Sequence, residues 1–211
     1  MLNAGLTLKN LKVKDFNGTW LMIKTADDYC QPEFIEFKND QIIHFDLEQE
    51  KENELLKKER DWKEKLSESK YEFVNNNRIR IYRMGETLRI ISDTKSITED
   101  TEFATDYEKI IPTKTELTTQ QIEKLEFRAQ WNDEKIQIVF NKILDSPIIK
   151  KINKQLNREG QKLVLEKLQG TYFASIYYNG KRSTLIGIKE IDKEKAILFG
   201  FPETPFEVIA V

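Results

Sequence analysis

Alternation of apolar and polar residues with a period of two runs through most of the chain and predicts a mainly β protein. The first alternating run covers residues 15–24. A turn at residues 39–40 separates a second run, 33–37, from a third, 41–47, and these two runs predict a β-hairpin. The alternation returns over residues 71–110, which predicts a meander of antiparallel strands.

A charged segment, residues 48–70, interrupts this pattern. Leu55, Trp62 and Leu66 recur in it at roughly helical spacing, which favours an amphipathic helix over part of the segment. The second half fits a long exposed strand equally well. The sequence leaves both conformations open and predicts a solvated face in either case.

Residues 111–117 break the alternation and are the best candidate for a domain boundary. Thr118 and Gln121 have the spacing of a capping box, which predicts a short helix. Residues 125–131 and 136–140 then alternate on either side of a turn, which predicts a second hairpin.

A longer helix is predicted over residues 146–159. Ser146 is a good N-cap, Pro147 suits the first helical position, and Gly160 suits the position just past the end. Most of the remaining positions are basic, whereas one stripe is apolar and predicts docking on a sheet. The stripe consists of Ile148, Ile152 and Leu156.

The C-terminal part returns to β alternation, with a type I′ hairpin turn predicted at Asn179-Gly180. Gly170-Thr171-Tyr172 repeats the glycine, threonine, aromatic order of Gly18-Thr19-Trp20. We interpret the repeat as two similar strand starts, with a second, degenerate barrel-like unit as the alternative.

Composition restricts the partners. Charged residues make up 33% of the chain, and 34 basic side chains nearly match 36 acidic ones, so the net charge is −2. This balance predicts no general attraction to nucleic acid or anionic lipid. The sequence contains no run of about 18 apolar residues, so it predicts no membrane span. The first residues lack the pattern of a secretory signal, which favours a cytoplasmic location, with removal of such a signal as the alternative.

Candidate chemistry is sparse. Cys30 and His44 are the only residues of their kinds, which argues against catalytic triads, zinc clusters and other transition-metal sites. His44 alternates with Ile43 and Phe45 and is expected to face solvent or to be hydrogen-bonded. Phosphate loops, nucleophile elbows and metalloprotease motifs are absent from the sequence. We therefore expect no enzyme, no cofactor and no metal.

One predicted hairpin carries a basic and aromatic face of the kind that binds single-stranded nucleic acid. We expect instead that acidic neighbours pair with it, because the chain is balanced in charge. The face consists of Arg78, Arg80, Tyr82, Arg83 and Arg89.

Two short motifs carry a family resemblance. Gly18-Thr19-Trp20 opens the first strand, and Thr105-Asp106-Tyr107 lies on the last strand of the meander. In this order the motifs resemble those of the lipocalins and related calycin β-barrels, over about residues 10–112. The arginine that packs over the tryptophan in that family has no clear counterpart here. Arg128 is a candidate whose surroundings do not match.

The resemblance implies a lipocalin-like antiparallel β-barrel over residues 1–112, followed by an α+β extension over residues 113–211. One larger, elaborated barrel is the alternative. Gly18, Trp20 and the Thr105–Tyr107 motif are then structural residues of the closed end.

The resemblance further implies a non-catalytic protein that binds a small apolar or amphipathic ligand in the barrel mouth. The alternative is a protein-interaction module, such as an inhibitor or immunity-type partner, with a filled interior. An enzyme ranks third. The predicted ligand-binding residues are Met22, Lys24, Tyr71, Phe73, Ile79, Ile81, Leu88 and Ile90.

Overall fold

Most of the alternating sequence forms β-strands. The computed structural model describes residues 16–24, 33–51, 53–66, 70–92, 95–131, 134–142, 154, 161–200 and 206–210. Within these residues there are fourteen strands and one short helix, so the prediction of a mainly β protein is confirmed. Two compact units divide the chain: unit 1 comprises Met1–Phe45 and Glu59–Lys109, and unit 2 comprises Asp46–Lys58 and Ile110–Val211.

The strands of the N-terminal half follow one another as an antiparallel meander. Strands β3 and β4 have residues in both units, and the other five belong to unit 1. The seven strands are β1 (Thr19–Lys24), β2 (Phe34–Lys38), β3 (Gln41–Lys51), β4 (Glu54–Lys65), β5 (Lys70–Asn75), β6 (Arg78–Ser92) and β7 (Lys95–Lys109).

The first strand of this meander pairs with the last. Trp20 of β1 lies opposite Lys109 of β7, and Met22 lies opposite Tyr107. The strand order is β5-β6-β7-β1-β2-β3-β4, so in the described residues the sheet is not closed between β4 and β5. The pairing of first and last strands is the one that an up-and-down barrel requires.

An aromatic and aliphatic cluster covers one face of the strands of unit 1, which we call the inward face. Its buried members come from five strands, in which every second residue faces the same side, and from Phe16, three residues before β1. The buried members are Phe16, Trp20, Ile35, Ile42, Ile79, Ile81 and Tyr107. The indole of Trp20 donates a hydrogen bond of 3.1 Å to the carbonyl of Phe16, so the turn before β1 is fixed to the core.

The C-terminal half contains seven strands and the short helix, all in unit 2. The elements are α1 (Thr119–Ile122), β8 (Glu126–Trp131), β9 (Glu134–Val139), β10 (Lys162–Leu168), β11 (Thr171–Tyr178), β12 (Lys181–Ile191), β13 (Lys195–Gly200) and β14 (Phe206–Ala210). Their strand order is β10-β11-β12-β13-β14-β8-β9, so again the first and last strands pair.

The local turn and cap predictions are confirmed. Residues 39–40 and Asn179-Gly180 have positive φ angles, and each pair closes a hairpin. Thr118 and Gln121 cap helix α1 reciprocally. The hairpin of β8 and β9 is present, with Glu126 opposite Val139.

Two further sequence questions have different outcomes. The charged segment 48–70 forms strand rather than helix over Glu54–Lys65, where the side chains are mostly exposed. The helix predicted over residues 146–159 lies outside the described residues apart from Lys154.

The division into units and the predicted domains differ in one segment. Unit 1 ends at Lys109, close to the predicted boundary at residue 112, whereas Asp46–Lys58 groups with unit 2. The assignment of residues 1–112 and 113–211 to separate domains stays a prediction.

Candidate functional site

Four of the predicted ligand-binding residues belong to the packed cluster of unit 1. Ile79 and Ile81 are completely buried beside Trp20, and Met22 and Phe73 pack against the same cluster while partly buried. The structure therefore brings these four together on one face, as alternation predicts.

The other four lie elsewhere. Tyr71 is 37% exposed and meets the ring of Phe16 edge-on, and Lys24 is exposed at the end of β1. Leu88 and Ile90 lie on β6, but their side chains are outside the described residues.

Five members of the apolar cluster are completely buried. Trp20, Ile35, Ile79, Ile81 and Tyr107 have no solvent-accessible surface. A side chain that lines a cavity of water size has accessible surface on that side, so these residues contact only protein atoms.

Beside this cluster, on the same inward face, lies a set of ionisable side chains. Glu33 precedes the buried Ile35 by two residues, His44 follows Ile42 by two, and Arg83 follows Ile81 by two. The alternation that turns the isoleucines inward therefore turns these polar residues inward as well.

His44 lies between two carboxylates and is 1% exposed. Its Nδ1 is 3.4 Å from Glu33 Oε2, and its Nε2 is 2.8 Å from Glu64 Oε1. The second pair is a close ionic contact without the alignment of a hydrogen bond, so His44 Nε2 is left unsatisfied.

Both carboxylates have further cationic or hydroxyl partners. Glu33 accepts hydrogen bonds from the Tyr107 hydroxyl and, at 3.1 Å, from Arg60 Nη1. Glu64 accepts from Arg83 Nε at 3.1 Å. The Arg83 guanidinium also lies 5.7 Å from the centre of the Tyr107 ring. We call Glu33, His44, Arg60, Glu64, Arg83 and Tyr107 the ionic cluster.

The ionic cluster perturbs the protonation of its members. Burial disfavours protonation of His44, but the carboxylates of Glu33 and Glu64 outweigh it and raise the pKa of the imidazole. Burial works against ionisation of Glu33 and Glu64, yet contacts with His44, together with Tyr107 at Glu33 and Arg83 at Glu64, lower the pKa of both carboxyls. The pKa of Tyr107 is raised, first by burial, so its phenol is a neutral donor. The imidazolium and carboxylate forms therefore stabilise one another.

Trp62 covers the outer side of the ionic cluster. Its ring stacks on His44 at a centroid distance of 3.9 Å and an angle of 24°, yet it is 49% exposed. A surface cavity of about 430 Å³ opens at this ring. The cavity is lined by Trp62, Glu64, Lys70, Tyr82, Arg83, Met84 and Glu102.

The basic and aromatic face of β6 is paired as predicted. Arg78 and Arg80 both bind the buried carboxylate of Asp106, and Tyr82 donates to Glu72. Arg83 binds Glu64, whereas the side chain of Arg89 is outside the described residues. In this pairing Asp106 holds β6 against β7.

Unit 2 also contains a buried ionic group, in which both carboxylate oxygens of Glu166 accept hydrogen bonds. Glu166 has no exposed surface and binds Arg182 through two hydrogen bonds, of 2.9 and 2.8 Å. Tyr177 donates to the same carboxylate at 2.7 Å. This arrangement serves the packing of β10, β11 and β12, whereas the ionic cluster of unit 1 borders a cavity.

The sequence analysis missed the ionic cluster. His44 is hydrogen-bonded rather than solvent-facing, and its partners are remote in sequence. One signal in the sequence could have found the cluster. Glu33 and Arg83 are each two residues from a buried isoleucine, so they lie on the same face of the chain as that isoleucine. Cys30 lies outside the described residues, and no group of three or more described His, Cys, Asp or Glu residues is arranged to hold a metal ion.

Comparison with known proteins adds no family to this picture. No protein-family model matches the chain, and no curated protein is significantly similar to it. No helix among the described residues is both long and apolar enough to cross a membrane.

Proposed function

We propose that unit 1 is a non-catalytic binding domain for a small amphipathic ligand, which occupies the cavity between Trp62 and Arg83. The observation that carries the proposal is the ionic cluster, because its buried charges border an open cavity. Burial of several ionisable groups costs free energy, and perturbed groups at a cleft are typical of functional sites.

The lining of the cavity suits a ligand with two chemical parts. Trp62 and Met84 are 49% and 67% exposed and, with Tyr82, offer apolar and aromatic contact. Arg83 and Lys70 offer cationic donors on the same wall. Apolar contact would supply affinity and the polar groups orientation.

This proposal moves the ligand away from the apolar residues expected from the sequence. Ile79 and Ile81 are packed against Trp20, so the apolar end of the inward face has no room for a ligand. We further propose that unit 1 is a lipocalin-like barrel whose seam lies between β4 and β5. The pairing of β1 with β7 supports this, and the cavity has residues of both β4 and β5 in its wall.

A protein-interaction module is the second candidate. The packed cluster favours it, because such a module needs no internal cavity. Tyr71 and Val74 of β5, at one end of the strand order, are exposed apolar residues that would contact a partner.

A fluorescence titration with the neutral, polarity-sensitive dye N-phenyl-1-naphthylamine tests the ligand-binding proposal. We expect saturable binding that Trp62→Ala weakens by up to about tenfold, since an aromatic contact is worth about 0.5–1.5 kcal/mol. Val74→Ala removes an exposed apolar side chain of unit 1 outside the cavity and is the matched control. Absence of saturable binding would leave the interaction module as the better proposal.

A further inference from the structure

We infer that Glu64 is an internal counter-ion that occupies the position of the ligand's own anionic group, between Arg83 and His44. The inference rests on the proposed function and adds to it the chemical class of the ligand, an amphipathic oxyanion. It also implies that the ligand must displace Glu64 before its oxyanion can bind Arg83 and His44.

Geometry singles out Glu64 among the carboxylates of the cluster. It lies in the wall of the cavity, one residue before the end of β4, and its side chain is 20% exposed. Arg83 holds it from one side and His44 from the other, at 3.0 and 2.8 Å. An oxyanion that enters through the cavity would meet the same two cations.

Glu33, by contrast, is fixed in place. Tyr107 and Arg60 donate to it, and His44 contacts it from a third side. It is less exposed, at 15%, and it does not line the cavity. Glu33 therefore orients His44, while Glu64 is the carboxylate that can be exchanged.

The donors around Glu64 are incompletely used. His44 Nε2 and Arg83 Nη2 are buried and have no hydrogen-bond partner, although both lie within 3.0 Å of Glu64 Oε1. A hydrogen bond weakens steeply as its donor and acceptor move out of alignment. A ligand oxyanion that is free to align with both donors would therefore make stronger hydrogen bonds with them than the Glu64 carboxylate does.

The test compares two dyes that differ by one sulfonate group. 1-Anilinonaphthalene-8-sulfonate has the ring system of N-phenyl-1-naphthylamine with an added sulfonate. The measured quantity is the affinity for the sulfonate dye divided by the affinity for the neutral dye, determined with the 211-residue chain. We expect Glu64→Gln to raise this ratio at least about tenfold. The substitution removes a charge-assisted contact that competes with the sulfonate for Arg83 and His44, and such a contact is worth about 1.5–3 kcal/mol.

Glu102→Gln is the matched control, since it removes the same charge from the same cavity. Glu102 pairs with the exposed Lys70 rather than with the buried cations. We expect it to raise the ratio less than about fivefold, as an exposed pair is worth under 1 kcal/mol. In the double variant Glu64→Gln/Arg83→Gln the gain for the sulfonate should disappear.

The outcomes separate the two proposals. If the neutral dye binds but Glu64→Gln and Glu102→Gln change the ratio equally, the inference about Glu64 is wrong and the proposed function stands. If neither dye binds saturably to the wild type or to Glu64→Gln, the proposed function fails. Circular dichroism and urea melts establish that each variant folds. If Glu64→Gln does not fold, Glu64→Asp keeps the charge with a shorter reach and should raise the ratio by a smaller factor, and an unchanged ratio in this variant would also overturn the inference.

Discussion

The ammonium of Lys109 lies 5.5 Å from the centre of the Trp20 ring, across the pairing of β7 with β1. The lipocalin resemblance places an arginine over this tryptophan, and here a lysine lies there instead, while Arg128 belongs to unit 2. Unit 2 has a parallel arrangement, since Lys167 lies 5.1 Å from the Tyr172 ring that it faces across β10 and β11. Each Gly-Thr-aromatic strand start is thus covered by a lysine from a neighbouring strand.

Trp20 should be far more important for stability than Trp62. Trp20→Ala removes a completely buried side chain and should lower the free energy of unfolding by about 3–5 kcal/mol. Trp62→Ala should cost clearly less, because that ring is 49% exposed. Urea melts of the two variants measure the difference, and equal losses would contradict the placement of Trp20 in the core.

Gly187 should not tolerate a side chain. A Cβ at this position in β12 would lie 2.2 Å from Phe199 Cε1, so the buried Phe199 ring must move. Gly187→Ala should therefore destabilise the protein by about 1–3 kcal/mol in a thermal or urea melt. Gly180→Ala is the control, because nothing lies within 4 Å of its Cβ and only the backbone strain of φ +73° opposes it. A smaller loss for Gly187→Ala than for Gly180→Ala would contradict the packing against Phe199.

Asp106 should anchor β6 to β7. Its carboxylate is 2% exposed and binds Arg78 at 2.7 Å and Arg80 at 2.6 Å. Asp106→Asn removes the buried negative charge that Arg78 and Arg80 share and should cost about 1–3 kcal/mol at neutral pH. Asp192→Asn changes a turn residue of unit 2 whose carboxylate accepts hydrogen bonds from backbone N–H groups, and its effect on the urea midpoint should be much smaller. Equal shifts would show that the pairing of Asp106 contributes little.

Stability should depend on pH through the ionic cluster. The pKa of His44 is raised in the folded protein, so its contribution is complete below the unfolded value of about 6.5 and is lost as the pH rises through the folded value. The lowered pKa values of Glu33 and Glu64 act in the opposite sense, with stability lost as the pH falls below about 4.3. We expect greatest stability between about pH 5 and 6.

Urea unfolding at pH 6 and pH 9 measures the alkaline part of this dependence. The wild type should be less stable at pH 9, and His44→Gln should lose most of the difference, since His44 is the only histidine. An unchanged difference in His44→Gln would assign the pH dependence to other groups.

Local chemistry determined the parts of the fold that the sequence predicted. Asn179 and Gly180 have the positive φ angles that a type I′ turn requires. Reciprocal hydrogen bonds between Thr118 and Gln121, three residues apart, cap α1. Period-two alternation placed Ile79 and Ile81 on one face. These features depend on neighbours in sequence, so the sequence alone fixes them.

Tertiary structure decided the rest, because the decisive contacts join distant residues. Glu54–Lys65 is strand, although Trp62 and Leu66 also fit a helical period, because it hydrogen-bonds to β3. The ionic cluster unites Glu33 and Tyr107, which are 74 residues apart. Neither alternation nor composition specifies which strands become neighbours, and only that pairing places His44 between two carboxylates and Glu64 at the edge of a cavity.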